Sequence, residues 1–359
     1  METKILNFYK KMKLNRKKQI SFSKLYSEFH KTDKKISDIS LICKKECSSF
    51  CDSHSIPKFV LNSIATDGKL LTGNSFMSKP IGKPTGKGNT FVFSCICQDC
   101  DSKYFQDYEH IEKITKSVTN VSLNEISMKN YLRYAYKQYR CAQFYKKILD
   151  EIYLKPEERY FFENQSFLLE KDVDETITKV IKYSKKKEDR NFYLIDEINL
   201  NYKSQIAYQG FITLVWGFDK LVNNIFNYDD SYQMQQLGVC VFPFNTETKI
   251  LLFCEEGSTR LRDFYKKYRK LSLSEKLYVI NYMILLYEED WAIGANFDAK
   301  KLNKETLLLI NTSSIIERMT DSIPTSPTAS PNVSMDLLKD AYELKTCGTI
   351  YNFLTADNN

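Results

Sequence analysis

Apolar residues return at helical spacing along much of the chain, and the places where that spacing changes mark its organisation. In the first stretch, Phe8, Met12, Phe22, Leu25, Tyr26 and Phe29 are set among lysines and predict short amphipathic helices. From Ser122 the period is sustained through Leu123, Ile126, Met128, Tyr131, Leu132, Ala135, Tyr139, Phe144, Ile148 and Ile152, stopping at Pro156. A second helix is predicted over Glu170 to Tyr183, with the charged run Lys185 to Arg190 as a solvated loop. The pattern then turns to strands, at Gln205 to Gly217, Leu237 to Phe244 and Lys249 to Cys254, the last two joined by a turn around Asn245. Helices follow at Thr259 to Lys270 and Ser274 to Glu289. The latter opens on Ser272 with Glu275 three positions on, the spacing of a reciprocal cap. A Ser/Pro/Thr loop at 322 to 332 leads to a last helix, Met335 to Leu344, and no repeat of solenoid period is present.

Between these regions lies a stretch of different character. Lys79 to Asn89 (KPIGKPTGKGN) has the composition of a turn or connection, Thr90 to Cys95 reads as a strand, and Asp101 to Lys116 as a helix. The expected division is a basic helical segment 1–42, a cysteine-rich domain 43–118, a helical region 119–200 and a mixed α/β domain 201–359. The fold class is α+β.

Composition narrows the function classes. A chain of 359 residues is expected to form two or three domains. With 43% hydrophobic and 14% aromatic residues it is globular rather than disordered. Lys and Arg exceed Asp and Glu by 52 to 45, an excess that permits contact with nucleic acid without requiring it. No run of 18 apolar residues is present, and Met1 to Lys18 lacks the apolar stretch of a signal peptide, so a cytoplasmic protein with no membrane partner is expected. In that compartment cysteines stay reduced, and clustered ones point to metal. Six of the ten fall between Cys43 and Cys100; Cys141, Cys240, Cys254 and Cys347 are scattered among apolar residues and read as buried thiols.

The chemistry-bearing text is Cys43-x3-Cys47, then His54-Ser-Ile-Pro57, then Cys97-x2-Cys100 followed by Asp101-Ser-Lys. Two separated cysteine pairs supply the four thiolates of a tetrahedral structural Zn²⁺. Cys51 is a rival ligand and Cys95 a spare beside the second pair. The competing reading makes some of these thiols merely buried.

The order of Cys pair, His-x-Ile-Pro, loop and Cys-x2-Cys-Asp-x-Lys resembles the zinc-stapled branch of the HNH (ββα-metal, treble-clef) endonucleases. The resemblance covers roughly residues 40 to 115. It implies a small zinc-bound ββα unit at the head of the α+β chain, and hydrolysis of DNA, with RNA as a second substrate class, using Mg²⁺ or Mn²⁺. By the family's pattern His54 would be the general base, Asp101 would orient it, and Glu109 would bind the catalytic metal, with Asp52 and His110 as further ligands. The family's usual acid or His immediately before the base is replaced by Ser53, and its usual Asn by Asp101. The same strings resemble bacterial proteins in which an HNH-like unit precedes a longer region, as in phage-defence effectors; self-association or a defence partner would follow. Alternatives stand beside these roles: His54 as a structural histidine, Asp101 as a helix cap, and the whole as a non-catalytic zinc-binding module that binds nucleic acid or a partner protein.

Lys58, Lys79, Lys83, Lys87 and Lys103 are the candidate phosphate contacts, the loop lysines being equally readable as plain surface. Tyr9 to Lys18 (YKKMKLNRKK) could contact phosphate as well, but fits a solvated helix face better. Tyr131, Tyr134, Tyr136 and Tyr139, interleaved with Arg133, Lys137 and Arg140, could stack on bases but fit a packed helix better. With His30, His54 and His110 as the only histidines, the C-terminal part offers no imidazole base and reads as a scaffold for sensing, assembly or partner binding.

Overall fold

The computed structural model describes residues 16–32, 39–47, 50–76, 81–225, 227, 231–311 and 335–356. Phe8, Met12, Lys79 and the Ser/Pro/Thr loop lie outside them. The chain is mixed α+β and forms two compact units: residues up to Ser55 with Val92–Asp189, and Ile56–Phe91 with Arg190 onward. The 43–118 stretch is therefore shared between units, its middle part, Ile56–Phe91, belonging with the C-terminal sheet.

The first unit contains α1 (Arg16–Thr32), β1 (Ser53–His54), β4 (Val92–Phe93), α4 (Gln98–Tyr104), α5 (Ile111–Ile114) and the two long helices α6 (Asn120–Glu151) and α7 (Pro156–Lys185). The side chain of Thr119 caps α6 by accepting the Ser122 N–H. α6 ends at Glu151, ahead of the expected stop at Pro156, and Pro156 stands in the first turn of α7, where its missing N–H costs nothing. Phe22, Leu25 and Phe29 of α1 pack with Phe144, Ile148, Leu154 and Phe162 into a common core. Arg140 lies 4.0 Å from the Phe29 ring centroid and donates to the Phe29 carbonyl. In the aromatic-basic stretch of α6, Tyr131 and Arg140 are buried, Arg133, Tyr136, Lys137 and Tyr139 are half-buried, and Tyr134 is exposed.

The second unit is built on a seven-stranded antiparallel sheet. Its strands are β2 (Lys69–Thr72), β3 (Thr85–Gly86), β5 (Phe192–Leu200), β6 (Ile206–Ile212), β7 (Leu237–Pro243), β8 (Thr248–Glu255) and β9 (Trp291–Gly294), in the order β3-β2-β9-β6-β7-β8-β5. β7 is buried throughout and β8 up to its final residue, which explains their near-continuous apolar sequences. Around the sheet are α2 (Lys58–Ile64), α3 (Gly73–Phe76), α8 (Arg262–Tyr268), α9 (Leu273–Tyr287), helical residues 304–311 and α10 (Met335–Tyr342). α9 starts with the expected reciprocal cap between Ser272 and Glu275 and buries Leu277, Val279, Ile280, Met283, Ile284, Leu285 and Leu286 in the main core.

Candidate metal centre and the carboxylate pair beside it

Two short backbone pairings frame the cysteines. The N–H of Leu41 donates to the Cys95 carbonyl and that of Cys51 to the Ile96 carbonyl, while Phe50 bridges Cys97. Between them the chain reverses tightly: Ser40 N–H donates to Lys45 O, Lys44 N–H returns to Ser40 O, and Lys44 takes a left-handed conformation with φ 57°. Cys43 sits in this reversal. Cys97 is the residue before α4, and Cys100 lies one turn in.

The result is a sulfur cluster. Among the described residues, Cys43, Cys97 and Cys100 are the one group of three or more His, Cys, Asp or Glu whose ligand atoms all lie within 4.8 Å of one another. Cys43 Sγ and Cys97 Sγ are 3.9 Å apart. A tetrahedral zinc with Zn–S bonds of about 2.3 Å sets its sulfurs about 3.8 Å apart, so the spacing suits such an ion. Cys47 is not in the group; its thiol points to the Lys45 carbonyl at 3.4 Å. Desolvation first, and the Cys97 thiol next, push the Cys47 thiol up.

Ser40, a residue that motif reading passed over, is fully buried in this cluster. Its hydroxyl lies 3.8 Å from Cys100 Sγ and accepts the Cys97 N–H. Burial raises the thiols, but at Cys43 the hydrogen bonds from Ser40, the Lys45 backbone, Cys100 and Cys97 outweigh it and bring the group down to about 7. Cys100 is pushed up to about 12, by burial first and by Cys97 next. One thiolate is therefore held near neutrality by its neighbours' protons, an arrangement a soft divalent cation can take over by displacing them. The cluster borders a hollow of about 440 Å³ lined also by Lys45, Glu46, Asp99, Lys103 and Tyr104.

The remaining cysteines of the stretch belong elsewhere. Cys51 donates to Asp101 Oδ2 at 3.5 Å and is pushed up to about 11, chiefly by burial and then by the Asp101 charge. Cys95 is fully buried and its thiol is raised by desolvation.

His54 is placed by β1, which pairs antiparallel with β4 so that Ser53 faces Phe93 and His54 faces Val92. It is buried, at 6% exposure. Asp101, in the first turn of α4, accepts from Ser53 Oγ and from Lys129 Nζ, the latter at 2.6 Å. Cys97, not Asp101, is the residue that precedes the helix, so the capping role expected as an alternative for Asp101 does not arise. Burial works to raise the Asp101 carboxyl; the Lys129 ammonium and the hydrogen bonds from Lys129, Ser53 and Cys51 more than offset it and hold it below its usual value.

The helix expected over 101–116 is two short helices with a break. Phe105 ends α4, and the backbone N–H groups of Asp107 and Tyr108 turn to the carboxylate of Glu125 on α6, each at 2.8 Å. Tyr108 OH donates to the Ser55 carbonyl just after β1. Those bonds replace the intrahelical ones and leave Glu109 in the break, where its Oε1 lies 2.8 Å from Lys129 Nζ.

The other proposed ligands stand apart. Asp52 is exposed and accepts from Ser94 Oγ at 2.7 Å; His110 is exposed at the start of α5. Asp52, Glu109 and His110 do not form a three-ligand group among the described residues. Lys58, Lys83 and Lys87 are exposed in the sheet-bearing unit and Lys103 is exposed in the cysteine-bearing one. No helix among the described residues is long and apolar enough to cross a membrane.

Comparison with family models, with curated proteins and with solved structures finds no match to this chain.

Proposed function

We propose that Cys43, Cys97 and Cys100, joined by Cys47, hold one structural zinc ion, and that the unit it staples acts by binding rather than by hydrolysis. The observation that carries the first part is the convergence of three thiols from two distant segments to zinc-like spacing. Cys47, half-buried beside the same reversal, would reach the fourth corner by turning its side chain from the Lys45 carbonyl. Zinc then ties the 39–47 reversal to the start of α4 and completes a small ββα-type arrangement of β1, β4 and α4. The binding role is supported by the engagement of Asp101 and Glu109 with Lys129 and by the burial of His54. The hollow beside the cysteines carries exposed Lys45 and Lys103 alternating with exposed Glu46 and Asp99, a mixed-charge rim that offers both signs to a nucleic-acid or protein partner.

A second reading is an HNH-type endonuclease cutting DNA with Mg²⁺ or Mn²⁺, in a phage-defence setting. What favours it is the order along the fold: His54 on the first short strand, then β4, then Cys97-x2-Cys100 and Asp101 on the helix. One assay separates the two. The purified protein and its His54→Ala variant are incubated with plasmid DNA and with RNA in Mg²⁺ or Mn²⁺, and binding of both polymers is followed by anisotropy at two salt concentrations. The binding reading expects salt-dependent association without cleavage. Cleavage that His54→Ala loses would overturn it in favour of the nuclease.

A further inference from the structure

Lys129 is a buried and heavily engaged cation of the cysteine-bearing unit. It projects from the first half of α6 and its side chain has no exposed surface. An ammonium has three N–H donors. Here three oxygens surround it: Asp101 Oδ1 at 2.6 Å, Glu109 Oε1 at 2.8 Å and Ser53 Oγ at 3.3 Å. The remaining sides are aromatic, with the Phe105 ring centroid 4.2 Å and the Phe93 centroid 5.9 Å from Nζ. The oxygens take the protons and the ring faces stabilise the charge, as in cation–π recognition of ammonium groups.

We infer that the Lys129 ammonium is the resident cation of the Asp101–Glu109 pair, seated where a divalent ion would have to bind, so that the native protein takes no such ion there. A buried lysine is tolerated only when its charge is answered, and two carboxylates on one ammonium answer it fully. A Mg²⁺ or Mn²⁺ ion needs those same carboxylate oxygens at little over 2 Å, together with several waters. It would sit against the buried ammonium with like charge, although Glu109 itself reaches solvent. The two occupants exclude one another. Lys129 is a positioning residue in this account: it holds α4, the 105–110 break and β1 to α6 through one atom. The inference concerns residues other than the thiols and is independent of the zinc reading.

The test uses full-length protein as purified and Mn²⁺ as the probe, read by electron paramagnetic resonance of free Mn²⁺ and by thermal shift. The native protein is expected to show no Mn²⁺ binding that Glu109→Gln removes. Lys129→Ala is expected to melt well below the native protein, to bind Mn²⁺ at least tenfold more tightly than it does, and to regain part of the lost melting temperature with Mn²⁺. Adding Asp101→Asn to Lys129→Ala should abolish that regain. Lys129→Met, which keeps the apolar stem, serves if the alanine variant does not fold, and is expected to show the same Mn²⁺-dependent rise. Stoichiometric Mn²⁺ binding by the native protein that Glu109→Gln removes would overturn the inference, as would folded Lys129 variants that gain no Mn²⁺ affinity. If neither variant folds, the native titration with Glu109→Gln decides.

Discussion

At Gly238 a single missing methyl group shapes the sheet. Gly238 on β7 faces Phe253 on β8, and a Cβ added there would lie 2.3 Å from the ring. The ring is flanked edge-on by Phe192 and Phe211 and has little freedom to retreat. Gly238→Ala should destabilise the protein by about 1–3 kcal/mol, as overpacked cores do, checked by urea denaturation. Glu125 makes a different single-residue prediction. Burial raises its carboxyl above the usual value, and Lys187 and the N–H groups of Tyr108 and Asp107 only partly offset that. A carboxyl raised in the folded state favours the folded protein while protonated, so its contribution is present below the unfolded value and is lost as pH rises through the folded one. The melting-temperature advantage of the native protein over Glu125→Gln should therefore shrink as pH climbs above the ordinary carboxylate range; an advantage that grows there would contradict the assignment. At this scale the sequence was legible where chemistry is local to a motif. Cys43, Cys97, Cys100 and Asp101 could be singled out from their spacing. Lys129 could not, because it meets Asp101 from 28 residues away and looks, in its own helix, like any surface lysine. Ser40 was hidden for the same reason.

Elements with strong periodicity or explicit caps were readable. α9 and its Ser272–Glu275 cap stand where the sequence puts them, because the reciprocal bonds need only those two residues. Ser272→Ala should cost about 1 kcal/mol, measured as a shift in the denaturation midpoint at unchanged slope. β7 and β8 were readable because continuous apolar runs bounded by a turn have few other uses. β5 was missed: its Asp196 and Glu197 sit mid-strand, answered by Lys276 and Lys249 from elsewhere, so no alternation shows in the sequence. β2 and β9, four residues each, are too short to show a period and exist because they pair with one another in the large sheet. The single helix expected over 101–116 failed for a reason outside it, since the Glu125 carboxylate captures two of its backbone donors.

For the whole molecule, the α+β class was legible, but the way the chain is shared between its units was not. β1 and β4 are neighbours in one unit, while the residues between them supply α2, β2, α3 and β3 to the other. No composition boundary marks those crossings. A zinc ion bound by Cys43, Cys47, Cys97 and Cys100 would tie the two ends of the first unit's interrupted segment, and in such small units metal-binding free energy is folding free energy. Elemental analysis of the purified full-length protein, paired with its melting curve, tests this account most directly. It predicts one zinc per chain, lost in Cys97→Ser together with a melting temperature lowered by several degrees. A protein prepared without chelators that carries no zinc, and whose melting is indifferent both to Cys97→Ser and to added zinc, would contradict it.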